Sequence, residues 1–462
     1  MAIRTQSALL ALLAAFFTLK FIYTRSARGS ASATTKKTYL LPFYTIFSVL
    51  MLLVLHGTSI LKVLVILSIN YAIAKAGGGS KWVVAATWIF NGGILFLNET
   101  YSGYTFAGLH SALSILDSLE GVYPRWHVSF NITMLRLVSF NMDYHWACNR
   151  AGAADSGNEL TERQRKTTYH ALDVYSYRNY LAYTLYAPLY IAGPIMTFND
   201  FVWQASAVYE IHILINLAAH TVVLLAARKA DAVKHDEQWW RGADTHAWGG
   251  DSAGQLSMIG FWNLVIVWLK LLLPWRFFRL WALLDGIDPP ENMVRCVANN
   301  YSTLGFWRSW HRSYNLWLVR YIYIPLGGTK RVALSTVLIF SFVALWHDLS
   351  FRLLAWGWLV SFFILPELLA KYLLPASKFG DKPWYRHVCA LGAVCNVLMM
   401  MAANLVGFVL GTEGMGYMVR EMGGSWAGLG FMVAACACLF VGVQVMFEYR
   451  EEEMRRGIYR RC

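Results

Sequence analysis

Long apolar stretches alternate with short polar connections along the whole chain. Most of these stretches approach the roughly 20 residues that a helix needs to cross the hydrocarbon core of a bilayer. The pattern predicts an all-α, polytopic membrane protein with about 10–12 transmembrane or re-entrant helices. The predicted segments are residues 7–23, 39–56, 58–75, 82–97, 130–147, 179–197, 207–227, 258–284, 333–349, 353–374, 388–411 and 426–447.

The composition agrees with a membrane protein and excludes an ordinary soluble domain. Of the 462 residues, 57% are hydrophobic and 15% are charged, whereas soluble domains carry about 25% charged residues. The polar connections are too short to form a separate soluble domain, so we expect one membrane domain over residues 1–462. The motifs discussed below lie within residues 124–358, and residues 1–123 and 359–462 are expected to form peripheral spans.

Basic residues outnumber acidic residues, 40 against 27, and give a net charge of +13. They lie mostly between the apolar segments, which is typical of topology signals and head-group contacts. We therefore expect no nucleic-acid partner. The positive-inside rule places the arginine-rich C-terminal tail in the cytosol. The basic loop at residues 375–387 falls on the same side, because two predicted segments separate it from the tail.

The first apolar segment permits two interpretations. A short apolar run after Arg4, followed by the small-residue stretch SARGSASA, is typical of a cleaved signal peptide. Residues 21–23 lengthen the run beyond Lys20, which favours a retained first span.

The densest group of polar and aromatic residues is FWRSWHRSYNLWLVRYIYIPLGG at 306–328. Continued as one helix, this stretch places an aromatic face beside a polar stripe, with His311 at their border. Such a helix lies at a membrane interface or lines a hydrated cavity, and an interfacial helix with snorkelling arginines is the simpler interpretation. The Pro-Leu-Gly-Gly turn at 325–328 ends the helix, and Lys330 and Arg331 follow it. The aromatic face consists of Trp307, Trp310, Tyr314 and Trp317, and the polar stripe of Arg308, Arg312 and Asn315.

A second candidate is His347, which follows an apolar run and precedes Asp348. Polar residues inside membrane segments are costly and therefore indicate function. An imidazole at the end of such a segment acts as a general base when it faces a substrate. However, His56, His212 and His220 also lie in apolar runs. A lone histidine is more often a packing residue, so its position alone does not assign a role to His347.

The two histidine motifs together resemble the membrane-bound O-acyltransferase (MBOAT) family, in which a late membrane histidine follows a helix with an Asn, Asp or His. Here the motifs are FWRSWHRSYNLWLVRYIYIPLGG and ALWHD. Two further stretches are similar to the subgroup of that family that contains the glycerol-uptake and hedgehog-acyltransferase branches, and a third fits the glycerol-uptake branch better. The histidine at position 311 fits this branch better than the hedgehog-acyltransferase branch, which has an aspartate there. The stretches are PRWHVSFNITMLRLVSFNMDYHW at 124–146, NYLAYTLYAPLYIAGPI at 179–195 and RCVANNYSTLGFWRSWH at 295–311.

The resemblance implies a membrane-embedded O-acyltransferase. In this interpretation His347 is the general base, and His311 orients the acceptor or polarises the donor carbonyl. The donor would be acyl-coenzyme A, and the acceptor a lipid hydroxyl of a lyso-glycosylphosphatidylinositol (lyso-GPI) anchor in the endoplasmic reticulum membrane. The further substrate-binding candidates are Trp307, Arg308, Trp310, Asn315, Arg320, Lys330 and Arg331.

Several alternatives remain open from the sequence. Arg320, Lys330 and Arg331 suit coenzyme A phosphates but equally serve as topology signals. The name of the branch reflects a solute-transport proposal, although no inverted repeat supports a transporter. An acyltransferase that acts on a secreted protein would use the same catalytic residues.

No cofactor is expected for acyl transfer itself. The hedgehog-acyltransferase branch has a haem-ligating cysteine at the place of Cys296, so the resemblance makes this residue a haem-ligand candidate. A buried free thiol is the interpretation that we favour, because one cysteine is no cofactor motif. The seven cysteines contain no CxxC pair, so the sequence predicts no structural zinc site.

Overall fold

The structure is a computed structural model, and within the residues it describes the chain is helical with no strand. A single antiparallel bridge joins Met293 and Trp310. The predicted all-α class is confirmed. The predicted segment 207–227 lies outside the described residues. The structure describes residues 2–28, 40–149, 160–205 and 251–460.

The described chain contains five helical segments that are long and apolar enough to cross a membrane. A shorter apolar helix, Leu334–His347, accompanies them. Most predicted segments agree with observed helices to within a few residues, so the polytopic membrane fold is confirmed. The five segments are Leu41–Gly77, Ala253–Leu284, Phe351–Leu373, Tyr385–Gly423 and Trp426–Arg455.

The chain divides into two compact units, and the division falls within one long helix at Pro274. The prediction of one membrane domain stays a prediction. The first unit contains α1 (Ala2–Arg28), α2 (Leu41–His56), α3 (Ile60–Gly77), α4 (Lys81–Thr100), α5 (Ser114–Asp117), α6 (Trp126–Asn149), α7 (Glu162–Thr167), α8 (Tyr177–Thr184), α9 (Ala187–Tyr190) and α10 (Phe198–Ala205). Helix α11 (Ala253–Leu284) crosses the division. The second unit contains α12 (Thr303–Ser309), α13 (Arg312–Leu318), α14 (Val332–His347), α15 (Phe351–Leu373), α16 (Ala376–Phe379), α17 (Tyr385–Leu405), α18 (Gly411–Gly423) and α19 (Trp426–Arg455).

Helix α6 forms the centre of the first unit and is buried along most of its length. Its Asn141 side chain exchanges hydrogen bonds with Asn70 of α3, and Asn91 of α4 donates to the same Asn70. Because an unpaired amide is costly away from water, these three amides bond to one another in the interior. The network fixes α3, α4 and α6 side by side.

The turn between α2 and α3 depends on a glycine. Gly57 has a φ of +56°, and a Cβ atom there would lie 2.1 Å from the carbonyl oxygen of Leu119. Only glycine permits both the left-handed backbone and this close approach. The segment around Leu119 therefore packs directly against the end of α2.

The prediction of one membrane span over 179–197 is wrong. The chain instead forms the short helices α8 and α9, followed by turns and an irregular stretch. Pro188 and Pro194 interrupt any longer helix. The buried Arg136 side chain donates hydrogen bonds to the carbonyl oxygens of Thr184 (2.9 Å) and Leu189. Irregular backbone at this depth is stable because it is enclosed by protein and supplied with donors.

In the second unit, α14 and α15 form the helical pair that carries His347. Gly357 of α15 lies against α14 so closely that a Cβ atom would be 2.7 Å from the carbonyl oxygen of Phe340. The absence of a side chain lets the two helices approach, as small residues do in membrane helix pairs. This approach brings Trp356 of α15 next to the end of α14.

Candidate active site

His311 lies at a break between α12 and α13, so the predicted continuous helix over 306–328 is wrong. Its φ of +45° is in the left-handed region, which a residue other than glycine occupies at a cost. Such conformations persist only where the surroundings enforce them, and they concentrate at functional sites. Aromatic residues on both sides of the break reach the surroundings of His347, Trp307 through Trp356 and Tyr314 through Trp346.

The loop before α12 enforces this conformation. Met293 pairs with Trp310 on one side of His311. On the other side, the Asn292 carbonyl oxygen accepts the Arg312 N–H at 3.1 Å, and Asn292 Oδ1 accepts the Ser313 N–H at 3.1 Å. Asn292 is fully buried. The two backbone segments that flank His311 are therefore both bonded to the same loop.

Two carboxylates hold that loop in turn. Glu367 of α15 accepts from the Ser302 hydroxyl at 2.6 Å and from the Leu304 N–H at 3.2 Å, at the start of α12. Glu453 of α19 accepts hydrogen bonds from Nη1 and Nη2 of Arg295, at 3.2 and 2.7 Å. Both carboxylates are buried. A bidentate buried pair adds geometric specificity, so the loop has a defined position relative to α15 and α19.

His347 is the last residue of α14 and has an exposed side chain. Its ring lies 4.8 Å from the Trp346 ring and 6.5 Å from the Trp356 ring, measured between centroids. No residue of the described chain hydrogen-bonds to its imidazole nitrogens. An accessible imidazole without an internal partner is chemically available to a substrate.

Aromatic rings connect the two histidines. The His311 ring lies 5.2 Å from Tyr314, Tyr314 lies 4.6 Å from Trp346, and Trp346 is adjacent to His347. The rings of Tyr314 and Trp346 therefore form a continuous line of contacts between the two imidazoles. The structure thus brings together the two residues that the motifs singled out.

The remaining aromatic candidates differ in position. The Trp307 ring packs 5.5 Å from both Trp356 and Phe340, so it belongs to the cluster around His347. Trp310 stacks on Phe306 at 5.6 Å. Both tryptophans are partly buried, which is compatible with a role as walls of an apolar path.

The polar and basic candidates lie between the aromatic residues and beyond them along the chain. Arg308 is exposed and Asn315 is half-buried. The Arg320 guanidinium lies 5.4 Å above the Tyr321 ring. Lys330 and Arg331 are exposed in the short turn before α14. A straight helix of this length separates Arg331 from His347 by about 24 Å.

Cys296 is free and exposed, so the expectation of a buried thiol is wrong. It belongs to the loop before α12, where its carbonyl oxygen accepts from Asn299 and Asn300. The described ranges contain no group of three or more His, Cys, Asp or Glu side chains that could hold a metal ion. Cys296 therefore has the exposure of a surface thiol, and its role as a haem ligand stays a prediction.

The sequence interpretation missed Asn292, Glu367 and Glu453. Asn292 belongs to the loop that bonds to the segments flanking His311, and the two glutamates hold that loop, yet none of the three lies in a recognisable motif. Glu367 and Glu453 had one usable signal: they are acidic residues next to or within apolar segments, where an unpaired carboxylate is costly. Asn292 had no such signal, because no sequence pattern predicts that it bonds to the backbone of residues about twenty positions later.

Comparison with known proteins agrees with the motifs. A sequence model described as the membrane-bound O-acyltransferase family matches residues 83–208 and 243–412, which include both histidines. "Membrane-bound O-acyltransferase GUP1" of Saccharomyces cerevisiae is 45% identical over 440 residues, or 91% of this chain and 77% of that protein.

Two further relatives extend the comparison. Gup1 of Schizosaccharomyces pombe, which has the same description, is 41% identical over 90% of this chain and 73% of its own. "Protein-cysteine N-palmitoyltransferase HHAT" of Mus musculus is 28% identical over 63% of this chain and 61% of its own. The resemblance stated from the motifs is confirmed, including the greater similarity to the glycerol-uptake branch.

Proposed function

Because the chain belongs to the membrane-bound O-acyltransferase family, we propose that it moves a long acyl chain from acyl-coenzyme A to a lipid hydroxyl. It is a multi-pass membrane acyltransferase, and the family implies an acyl donor and a lipid substrate. The acceptor that we propose is the lyso lipid of a GPI anchor. The observation that carries the proposal is the exposed His347 imidazole, connected to His311 through Tyr314 and Trp346.

His347 acts as the general base in this proposal. Its neutral imidazole accepts the proton of the acceptor hydroxyl while the hydroxyl oxygen forms a bond to the thioester carbonyl carbon. The carbonyl oxygen becomes an oxyanion, the carbon–sulfur bond then breaks, and the coenzyme A thiolate leaves. The proton held by His347 passes to that thiolate, so the histidine returns to its starting form.

His311 orients the acceptor or donates a hydrogen bond to the developing oxyanion. Such a donor must be held in place before the reaction. The left-handed backbone and the Asn292 contacts supply this support. Trp307 and Trp310 form walls for the acyl chain, and Arg308 and Asn315 contact polar parts of the substrates.

The donor enters from the end of α14 that is opposite to His347. Lys330 and Arg331 bind the coenzyme A phosphates there, with Arg320, because phosphates favour cationic partners. We place this end and the C-terminal tail in the cytosol and the protein in the endoplasmic reticulum membrane. No cofactor beyond acyl-coenzyme A takes part.

The test is transfer of a radiolabelled acyl chain from acyl-coenzyme A to lyso-GPI lipid by the purified protein in detergent. We expect label in the lipid product without any solute gradient, and loss of the product in His311→Ala. Transfer to the N-terminus of a secreted protein, and not to lipid, would retain the reaction class and reject the acceptor. Gradient-driven glycerol flux into sealed vesicles, with no acyl transfer, would reject the proposal.

A further inference from the structure

A cavity lies entirely within the first unit and is lined by none of the residues assigned to acyl transfer. Its volume is about 790 Å³. It occupies the place where α2 and α4 end and α3 and α6 begin, with the 101–124 segment as its rim. Helix ends in a bundle of apolar segments mark the level of the membrane interface, where lipid head groups lie.

A buried cation lines this cavity. Lys62 of α3 is only 9% exposed, and its ammonium makes one hydrogen bond within the described chain, to the Tyr104 carbonyl oxygen at 2.7 Å. The ammonium also lies 4.2 Å from the centre of the Phe106 ring and 6.0 Å from that of Trp126. An ammonium has three donors, so two remain for a ligand in the cavity.

The rim above Lys62 is strained. Ser102 and Tyr104 both have positive φ, at +49° and +27°, on either side of Gly103. Consecutive residues in such conformations cost energy and are typical of ligand clamps. Lys62 holds this stretch through the Tyr104 carbonyl oxygen.

Asp117 anchors the other end of the rim. Its two carboxylate oxygens accept the Phe106 and Ala107 N–H groups, each at 2.8 Å. These bonds lower the pKa of Asp117 below its ordinary value. Both oxygens bond to the backbone, so this carboxylate has a structural role, and its charge also acts through space on the Lys62 ammonium.

The cavity offers contacts for positive charge as well. Glu120 is exposed on the rim, and the aromatic side chain of Tyr101 lines the same space. Carboxylates and aromatic faces both attract organic cations. His127, partly buried on the floor, adds an imidazole that has no hydrogen-bond partner in the described chain.

We propose that this cavity binds the head group of a zwitterionic phospholipid. Lys62 and His127 donate hydrogen bonds to the phosphate, while Glu120 and Tyr101 contact the quaternary ammonium. The exposed leucines of the rim, Leu109 and Leu119, face the start of the acyl chains. The site is independent of the acyl-transfer proposal, since it uses none of the same residues.

Binding of dihexanoylphosphatidylcholine to the full-length protein in maltoside detergent tests the site by titration calorimetry. Wild type should bind this short lipid, and Lys62→Met should weaken binding at least tenfold. Lys81→Met, which removes an exposed lysine at the opposite end of α4, should have no effect. Equal affinity in wild type and Lys62→Met would overturn the proposal.

A second variant covers the case in which Lys62→Met does not fold. Glu120 is exposed, so Glu120→Gln should leave the fold intact. It should weaken dihexanoylphosphatidylcholine and leave anionic dihexanoylphosphatidylglycerol unchanged. Equal effects on both lipids would reject the zwitterionic head group. Binding of inorganic phosphate as tight as that of the lipid would show a free-anion site and reject the lipid.

Discussion

Two histidines end apolar helices in this protein, and their surroundings are opposite. His56 of the first unit is 1% exposed, with Nδ1 2.8 Å from the Tyr123 carbonyl oxygen and Nε2 3.1 Å from the Tyr190 hydroxyl. His347 of the second unit is exposed and has no hydrogen-bond partner in the described chain. Both ring nitrogens of His56 serve the fold, whereas those of His347 are available for chemistry.

The side chains near each histidine also differ in kind. Around Asn141 in the first unit, amides bond to amides. Around the second-unit histidines, the Tyr314 hydroxyl and the Trp307 indole N–H are buried without a hydrogen-bond partner among the described residues. Buried polar groups are normally paired. The left-handed conformation of His311, beside these two groups, is the feature typical of a functional site.

The largest expected effect comes from making the same substitution at each of the two histidines. His347→Gln should lower acyl transfer by about a hundredfold to ten-thousandfold, the usual contribution of a general base, with little change in melting temperature. His56→Gln should instead lower the free energy of unfolding by about 1–3 kcal/mol, because buried partners lose their bonds. Turnover per folded molecule and thermal unfolding in detergent measure both effects.

The exposed His387 of α17 provides a matched control, since it lies outside both clusters. His387→Gln should change neither quantity. If His56→Gln removed turnover from fully folded protein, or if His347→Gln retained it, the functional contrast between the two histidines would be wrong.

The next largest effect is expected at Asn292. Asn292→Ala removes the acceptor for the Ser313 N–H and loosens the backbone that fixes His311. Small displacements of a catalytic group cost up to about a hundredfold in rate, so we expect kcat to fall about tenfold or more. The Michaelis constant for acyl-coenzyme A should not change, because the donor's phosphates bind elsewhere in our proposal.

Asn299→Ala in the same loop is the control for general loosening. The backbone oxygen of Asn299 accepts a hydrogen bond from Arg450. The substitution changes only the side chain, so this hydrogen bond is retained. A parallel fall of kcat in both variants would mean that Asn292 acts through loop stability and not through the position of His311.

The sequence predicts the parts of this protein that depend on local pattern. Apolar length places α2, α3, α14 and α15 within a few residues, because bilayer thickness sets helix length. It fails where tertiary contacts decide. The buried Arg136 supplies donors to the irregular backbone at 179–197, and Asn292 accepts from the segment that follows the break at His311.

The site divides in the same way. His311 and His347 were identified by family motifs, whereas their different availability from His56 depends on long-range partners such as Tyr190. The support from Glu367 and Glu453 likewise joins residues about 65 and 158 positions apart in the chain. Hydrophobic periodicity carries no information on such pairs.

A smaller effect is expected for the amide network of the first unit. Asn141→Leu should destabilise the protein by about 1–2 kcal/mol, the upper range for interhelical hydrogen bonds in membranes. Turnover per folded molecule should be unchanged, because the network is structural. Thermal unfolding and an active-fraction assay measure the two quantities. A loss of turnover without a loss of stability would show that the first unit takes part in the chemistry. The proposed difference in role between the two units would then be wrong.

The smallest effect is expected from the paired substitution Lys330→Gln and Arg331→Gln. Both side chains are exposed, so their interaction with coenzyme A phosphates is weakened by water and by salt. Loss of such uniform binding raises the Michaelis constant and leaves kcat nearly unchanged. We expect the Michaelis constant for acyl-coenzyme A to rise about threefold to tenfold at low ionic strength, and the difference from wild type to shrink as salt is added.

Lys378→Gln with Lys382→Gln is the matched control, because these lysines are exposed and lie on the same predicted side of the membrane. If both pairs raised the Michaelis constant equally, general attraction of the basic surface would explain the effect. If neither did, Lys330 and Arg331 would be topology signals only. A rise confined to the first pair would place the donor phosphates one helix length from His347. The second unit would then contain the exposed base at one end of α14 and the donor's anchor in the turn before its other end. In the first unit, by contrast, both ring nitrogens of His56 are bonded within the fold.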